Sequence, residues 1–583
     1  MSFLSRIMLL KSQAHFSANS QRVGVSLNTG TFKGTGKRKA ELARKRVGLM
    51  MAGFVAFYAV IGGRLVQYGY AHPEVVSSIL PADRLMASRP DILDRNGEVL
   101  ATDIRTVSLF AEPHKIVDPD EAVEKLATVL TDLDIKGTYR KLSNPRSHFQ
   151  WLRRQLTPKQ QSQILALGIP GIGFRPEKRR FYPGGPTAAH IVGFVNIDNR
   201  GMAGMERYID QQGLADLAAA GLTSNAPLEP VRLSIDLRVQ NIVREVLVNA
   251  VSKYGALGAG AVILDAHTGE VIAMGSVPDF DPNNPTVGAK EGWLNRMSNG
   301  TFEMGSTFKA FTTAMALDSG KVTLQSSFDA RYPIRIGGFT IKDFHGKGRV
   351  LTVPEIFQYS SNIGTARMAE SVGIAAHKEF LTRIGLLTKM DTEIPEVATP
   401  TQPREWKLIN SVTISFGHGV STTPLQTAVA VSALVNGGKL IPPTFLPRSR
   451  EEADTLAQVV MKPSTSDDMR FLFEWNGTQG SGRRARVEGF DVGGKTGTAE
   501  KVVNGRYSSD KNFNAFIAAF PISDPKYVVM TFVDEPKTGD DNGGPTAGYT
   551  AAPVTKDLIR RSAAILGVEP SFGEDGSSML VSY

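Results

Sequence analysis

Three short segments of this 583-residue chain carry side chains able to perform acyl transfer: Ser306-Thr307-Phe308-Lys309, Ser360-Ser361-Asn362 and Lys495-Thr496-Gly497-Thr498. Ser306 follows Gly305 at the head of an Ala/Leu-rich stretch, Phe308 to Leu317, whose pattern predicts a helix. A hydroxyl at a helix N-terminus lies where partial positive charge favours an alkoxide or oxyanion. Lys309 is one turn further on, on the same face, so its amine can reach the Ser306 hydroxyl and form a nucleophile and base pair. A lysine acts as a base only when burial or a second cation lowers its pKa, and Lys495 is a candidate for that cation.

Alone, Ser306 would read more simply as a helix cap with a solvated lysine after it. The company it keeps changes that reading. Ser360 and Asn362 share one short turn and suit a proton relay and a grip on a substrate amide, although a capping serine and a turn asparagine are the plainer alternatives. Lys495 to Thr498 falls on a β-rich segment preceded by Gly493-Gly494. Glycine weakens a strand unless something approaches its backbone closely, and an extended peptide laid along the strand would do so. Lys495, Thr496 and Thr498 would then meet the peptide's carboxylate, with Gly497 giving the backbone room. An ordinary edge-strand lysine is the competing account.

These motifs need elements to hold them. Ser234-Ile235-Asp236 precedes a helical pattern from Leu237 to Val248, with Ser or Asp as its cap. Ala261-Val262-Ile263-Leu264 and Val271-Ile272-Ala273-Met274 predict an antiparallel hairpin. Lys495–Ala499, Ala515–Phe520 and Tyr527–Phe532 predict three more strands, and Pro553 to Leu566 a closing amphipathic helix. Strands, then helices, then strands and a last helix imply an antiparallel sheet covered by helices. Upstream, residues 67 to about 230 read as a separate α+β module. There Asp94-Arg95-Asn96-Gly97 predicts a tight hairpin, and Gly201 to Glu206 either a loop of close backbone approach or a turn opening a helix.

The chain carries 66 basic and 57 acidic residues. Its whole net charge of +9 sits in the first 46 residues, where ten Lys and Arg stand against Glu41 alone; the rest is balanced, 56 against 56. A nucleic-acid groove is therefore not expected, whereas a basic tail beside a membrane is. Val47 to Gly63 is an uncharged run between Arg44-Lys45-Arg46 and Arg64, and Leu65 and Val66 extend it to about one membrane helix. Tyr68 and Tyr70 would mark the outer interface, and the cationic cluster would keep the N-terminus in the cytoplasm. A cleaved signal peptide or a buried helix are the alternatives; no other stretch is apolar enough to span. There is no cysteine, which removes thiolate chemistry and disulfides.

The three motifs in this order resemble the acyl-serine transferases that react with penicillin. Arg89-Pro90-Asp91-Ile92-Leu93-Asp94-Arg95-Asn96-Gly97, Tyr182-Pro183, His190, Gly201-x-x-Gly204-x-Glu206 and Phe416-Gly417-His418-Gly419 extend the resemblance to class B penicillin-binding proteins over about residues 47–565. The resemblance implies an α+β multidomain protein: a basic cytoplasmic tail (1–46), a single transmembrane helix (47–66), an elongated periplasmic pedestal of dimerisation type (67–230), and a serine β-lactamase-like transpeptidase domain (231–583). It implies Ser306 as acylated nucleophile, Lys309 as proton acceptor, Ser360 and Asn362 as relay and substrate contact, and Lys495, Thr496 and Thr498 as donor-binding groups. Backbone N–H groups of Ser306 and Thr498 would form the oxyanion hole. The implied partners are peptidoglycan stem peptides, β-lactam antibiotics as covalent inhibitors, and a SEDS-family glycan polymerase with other divisome membrane proteins. No metal or organic cofactor is implied.

Met304 stands where many relatives have proline, so the approach to the helix is less rigid. His418 is a conceivable base, but its Gly-His-Gly loop recurs as framework in the family. Thr498-Ala499-Glu500-Lys501-Val502 and Val533-Asp534-Glu535-Pro536 are more similar to division-specific septal enzymes than to elongation-specific ones, the alternative within the class. A β-lactamase would release bound penicillin quickly, a DD-carboxypeptidase would yield D-alanine without dimers, and a non-catalytic sensor or scaffold would tolerate loss of Ser306.

Overall fold

The computed structural model describes residues 47–63, 89–213, 228–285, 292, 294–503 and 505–571. The chain divides into two compact units, Met1–Ser78 and Ile79–Tyr583. In the first, residues 47–63 form a helix with its apolar side chains exposed. Among the described residues no helix is long and apolar enough to cross a membrane. The expected span ran on through Arg64, Leu65 and Val66 to Tyr68 and Tyr70; these, like the basic tail, lie outside the described residues.

The second unit begins with a five-stranded sheet. Strands β1 (Ile92–Leu93), β2 (Val99–Ala111), β3 (Gln150–Leu156) and β4 (Ile172–Phe181) are antiparallel neighbours around β2, while β5 (Val231–Arg232) joins β1 in parallel. The predicted hairpin is the β1–β2 turn: Asp94 Oδ1 accepts from the N–H groups of Asn96 and Glu98, and Gly97 takes φ +94°. Asp94 is fully buried because its other oxygen accepts from Leu237 N, 3.0 Å away at the head of the next domain's first helix. Pairing of β5 with β1 thus ties the segment at residue 231, taken above as the start of the second domain, to the pedestal sheet.

Two arginines anchor the pedestal. Arg89 and Arg180 converge on buried Glu206, at 2.8 Å and 2.6 Å, and Asp103, Asp210 and the carbonyls of Pro90, Asn199 and Glu206 accept from their other N–H groups. Glu206 lies on α1 (Gly204–Gln211), so the Gly201–Glu206 segment is both a close backbone approach and a helix opening. Buried guanidinium groups are tolerable only when paired in this way.

Helix α2 (Leu237–Tyr254) follows, capped by Asp236, which accepts from the N–H groups of Arg238 and Val239. Then come β6 (Gly258–Asp265) and β7 (Val271–Val277), and near the C-terminus β8 (Gly493–Val503), β9 (Arg506–Phe520) and β10 (Tyr527–Asp534). They form one antiparallel sheet in the order β8-β9-β10-β6-β7. Strand alternation separates two cores: Ala261 and Ile263 face α2 and the closing helix Ala551–Ser562, whereas Val262 and Leu264 face the helices inserted between β7 and β8. The closing helix ends four residues before the Leu566 predicted from its pattern.

Candidate active site

Ser306 lies in a 3-10 turn, Gly305–Thr307, which leads into helix α3 (Phe308–Asp318). That helix is buried from Phe308 to Leu317, as the absence of charge between Lys309 and Asp318 requires. Gly305 adopts φ +52°, and a Cβ there would come within 2.7 Å of Thr498 O. On the other side, a Cβ on Gly417 would fall 1.9 Å from Gly305 O. The serine turn is therefore wedged between strand β8 and the Phe416–Gly419 loop. Gly497 has the same cause: its own neighbour is Met304 O, so the close approach inferred for this strand is made by the serine turn as well as by any ligand.

Lys309 and Lys495 are both buried. Each places Nζ 3.0 Å from Ser360 Oγ; Lys309 also donates to Ser360 O, and Lys495 to Thr496 O at 3.2 Å. Lys309 makes no hydrogen bond to Ser306, whose hydroxyl its amine was expected to reach. The lysine spans to Ser360 instead, and the half-buried Ser306 hydroxyl has no partner among the described residues. Burial pushes the Lys495 ammonium down to about 7. Burial, and then the charge of Lys495, push Lys309 well below the ordinary lysine range, against a smaller opposing pull from Asp343.

Ser360 ends a helix, Val353–Tyr359, in the left-handed conformation, φ +55°. A non-glycine residue there stores backbone strain of about 1 kcal/mol, and such strain is held where surrounding contacts enforce it. Lys309 and Lys495 grip Ser360 itself, and Asp343 holds the residues that follow it. Its carboxylate accepts from Ser361 Oγ at 2.7 Å and from Ile363 N at 2.9 Å, pinning the turn into helix α4 (Asn362–Val372). Asn362 Nδ2 donates one N–H to Lys342 O at 2.9 Å, which orients the side chain and leaves its second N–H and its Oδ1 for a ligand. Asp343 carries no spacing signal in the sequence; only the fold brings it to the Ser361 turn.

On β8, Thr496 Oγ1 lies 2.6 Å from Ser481 Oγ, and Thr498 Oγ1 accepts from Ala547 N. Both hydroxyls are thus oriented by neighbouring 3-10 turns. β8 is an edge strand of its sheet, bonded only to β9, so its outer edge can pair with an extended peptide. Three residues before Ser306, Glu303 accepts from Gly419 N (2.8 Å), His418 Nδ1 (3.1 Å) and Tyr507 Oη (3.2 Å). This ties the His418 loop and the β8–β9 hairpin to the serine turn, a structural use of His418. Sequence reading missed Glu303 and Tyr507.

The site thus joins a hydroxyl at a helix head, a buried amine whose proton is easily lost, a second amine on an edge strand and a hydroxyl between the two amines. That constellation suits attack on a peptide carbonyl by an activated serine. Among the described residues no group of three His, Asp or Glu side chains is arranged to hold a metal ion.

Comparison with known proteins assigns the chain to a family. The penicillin-binding protein transpeptidase domain matches residues 259–560, and the penicillin-binding protein dimerisation domain residues 84–217. The chain is 38% identical over 505 residues, 84% of its length and 83% of the relative's, to a probable peptidoglycan D,D-transpeptidase FtsI of Caulobacter vibrioides. It is 33% identical to a probable peptidoglycan D,D-transpeptidase PenA of Neisseria gonorrhoeae, covering 90% of this chain and 93% of that one. Identity with the peptidoglycan D,D-transpeptidase FtsI of Escherichia coli K12 is 30%, with 84% and 86% covered. Among solved structures, the apo transpeptidase domain of Burkholderia pseudomallei penicillin-binding protein 3 superposes with a TM-score of 0.52 at 31% identity, covering 58% of this chain and 98% of that domain. With its three motifs gathered around one hydroxyl and both family domains matched in order, the chain belongs to the class B penicillin-binding protein transpeptidases.

Proposed function

We propose that this chain is a peptidoglycan D,D-transpeptidase that cross-links stem peptides through an acyl-enzyme on Ser306. The observation that carries the reading is the shared hydroxyl, Ser360 Oγ, on which Lys309 and Lys495 meet. A neutral Lys309 has two N–H donors, and Ser360 O and Oγ accept both, which leaves its lone pair for the Ser306 proton. Lys495, on the edge strand, supplies positive charge for a donor carboxylate, together with Thr496 and Thr498.

In the first step Ser306 Oγ attacks the carbonyl carbon of the terminal D-Ala-D-Ala bond while its proton passes to Lys309. The N–H groups of Ser306 and Thr498 stabilise the oxyanion, a contribution of about 3–4 kcal/mol in such sites. The C–N bond then breaks, and the held proton, relayed by Ser360, goes to the departing D-alanine amine. In the second step an amine of a neighbouring stem attacks the Ser306 ester; its proton returns to the serine oxygen as the ester breaks and the cross-link forms. Asn362 borders this path as a contact for the donor's amide.

The names of the Caulobacter and Escherichia relatives, and the residues after Lys495, support a septal role for the activity. Ion pairs from Lys501 to Asp534 and Glu535 tie together the two segments that carry the septal resemblance. The basic tail and the apolar helix over 47–63 support a single-pass inner-membrane anchor with the domains in the periplasm, while a SEDS-family glycan polymerase beside it rests on the family resemblance. Fluorescent penicillin tests the centre of the proposal. Wild type should acquire a stable label and Ser306→Ala none, and purified wild type should convert pentapeptide stems to dimers; label retained in Ser306→Ala, or D-alanine release without dimers, overturns it. Restoration of septation in depleted cells by wild type but not by Ser306→Ala tests the cellular role.

A further inference from the structure

Beside the catalytic cleft lies an exposed aromatic and cationic lobe with no place in the mechanism above. Strands Ile334–Ile336 and Phe339–Ile341 form a hairpin closed by Gly337-Gly338, both at positive φ as a tight two-residue turn requires. Ile341, on its inner face, packs with Ala366, Val412 and Phe416. The outer parts are unusual for a small hairpin: Tyr332, Phe339 and Phe344 are 66%, 67% and 85% exposed. His345 stacks edge-on against Phe344, with ring centroids 4.6 Å apart. Large aromatic side chains left exposed together on one short segment mark interaction surfaces.

Charge says what the surface would receive. Arg331 and Arg349 are neutralised by Asp329 and Glu355, but Arg335 and Lys342 have no ion-pair partner among the described residues. The remaining acid, Asp343, is turned inward on the Ser361 turn. The lobe therefore presents unpaired positive charge and exposed apolar rings within one short segment. It is also continuous with the cleft, because Lys342 O takes the Asn362 amide and Lys347 Nζ lies 4.6 Å over the Tyr359 ring, next to Ser360.

We infer that the lobe 331–349 binds an uncross-linked glycan strand whose sugars carry carboxylate-bearing stem peptides, seating the polymer beside the cleft that acts on its peptides. Sugar rings offer apolar C–H faces that stack on aromatic side chains, and stem carboxylates complement Arg335 and Lys342. The inference rests on the peptidoglycan reading of the cleft.

The test uses the full chain in detergent, titrated with soluble uncross-linked glycan strands bearing pentapeptide stems, with strands stripped of stems, and with anionic lipid vesicles. The Tyr332→Ala/Phe344→Ala protein should bind stem-bearing strands about tenfold more weakly, as loss of aromatic anchors does. The Arg335→Ala/Lys342→Ala protein should bind them more weakly with a flatter dependence on salt, while binding stripped strands as wild type does. Unchanged affinity in both variants overturns the inference, as does tighter wild-type binding to vesicles than to strands. Fluorescent-penicillin labelling keeps the two readings apart. Absence of labelling in wild type counts against the Ser306 chemistry, whereas normal labelling with unaltered strand binding removes the lobe alone. Loss of labelling in both double variants would also overturn it, since the lobe would then only support Ser360.

Discussion

Lys309 and Lys495 reach one oxygen from different elements, a buried helix and a sheet edge, each with Nζ 3.0 Å from Ser360 Oγ. Two ammonium groups sharing an acceptor in a buried site repel one another, so the proton of one is readily given up. Lys309 feels this second charge in addition to its own burial, which makes it the amine suited to accept the Ser306 proton.

The sign of the pH dependence follows. The base must be neutral, and both lysines sit below the ordinary value, Lys495 at about 7. Acylation of Ser306 by labelled penicillin should stay fast through neutral pH and fall on acidification, as Lys309 takes up a proton. Lys495→Met removes the cation that depresses Lys309, so the acid limb of the residual reaction should move to higher pH. Stopped-flow acylation rates from acidic to alkaline pH measure this; an unmoved limb would show that the two amines do not communicate.

Ser360 should separate strain from chemistry. Ser360→Ala leaves two buried amines short of an acceptor, a loss of about 1–3 kcal/mol, and keeps the unfavourable left-handed backbone. Ser360→Gly loses the same hydroxyl but removes the strain, so it should be about 1 kcal/mol more stable than the alanine variant. Acylation should fall about a hundredfold in both. Urea unfolding alongside penicillin labelling gives the comparison, and equal stabilities would argue against strain at this position.

Asp343 acts through the Ser361 turn and through its charge. Asp343→Asn preserves size but weakens acceptance from Ser361 Oγ and Ile363 N, and acylation should drop about tenfold. Because this carboxylate favours the protonated form of Lys309, its neutralisation should also shift the acid limb to lower pH, opposite to the Lys495 variant. A slower reaction with an unchanged pH profile would leave Asp343 a purely structural part.

Gly417 and Gly437 make a matched pair, with φ +94° and +91°. Alanine at 437 meets nothing within 4 Å and should cost only backbone strain, about 1–2 kcal/mol. Alanine at 417 would collide with Gly305 O and should displace the serine turn, cutting penicillin labelling by at least about tenfold as well as lowering the melting temperature. Equal labelling by the two variants would show that the His418 loop does not hold Ser306.

In the pedestal, Glu206→Ala would leave Arg89 and Arg180 buried without their common carboxylate. Destabilisation of about 3–5 kcal/mol is expected, read by chemical denaturation, because an orphaned buried charge costs more than its pair contributed. A change within error would mean that Asp103 and Asp210 suffice.

Much of the site was legible because its signals are local. The helix after Ser306, the β6–β7 hairpin, the Asp94–Gly97 turn and the strand bearing Lys495 each follow from patterning over a few residues, where backbone sterics and amphipathic period decide the outcome. One turn of helix puts Lys309 and Ser306 on the same face, but the spacing did not reveal that Ser360, 51 residues away, also holds the amine.

The motifs, their order and the alternating apolar pattern settled which residues could do chemistry and what kind of sheet would carry them, since residue types and short spacings act within one helix turn or one strand. Packing alone decided that Gly305 is clasped between Thr498 and Gly417, that Asp343 holds the Ser361 turn, and that Glu303 gathers His418 and Tyr507. These partners lie far apart along the chain, and a hydrogen bond, a steric contact or a depressed lysine pKa depends on distance and burial in three dimensions, which spacing along the sequence does not encode.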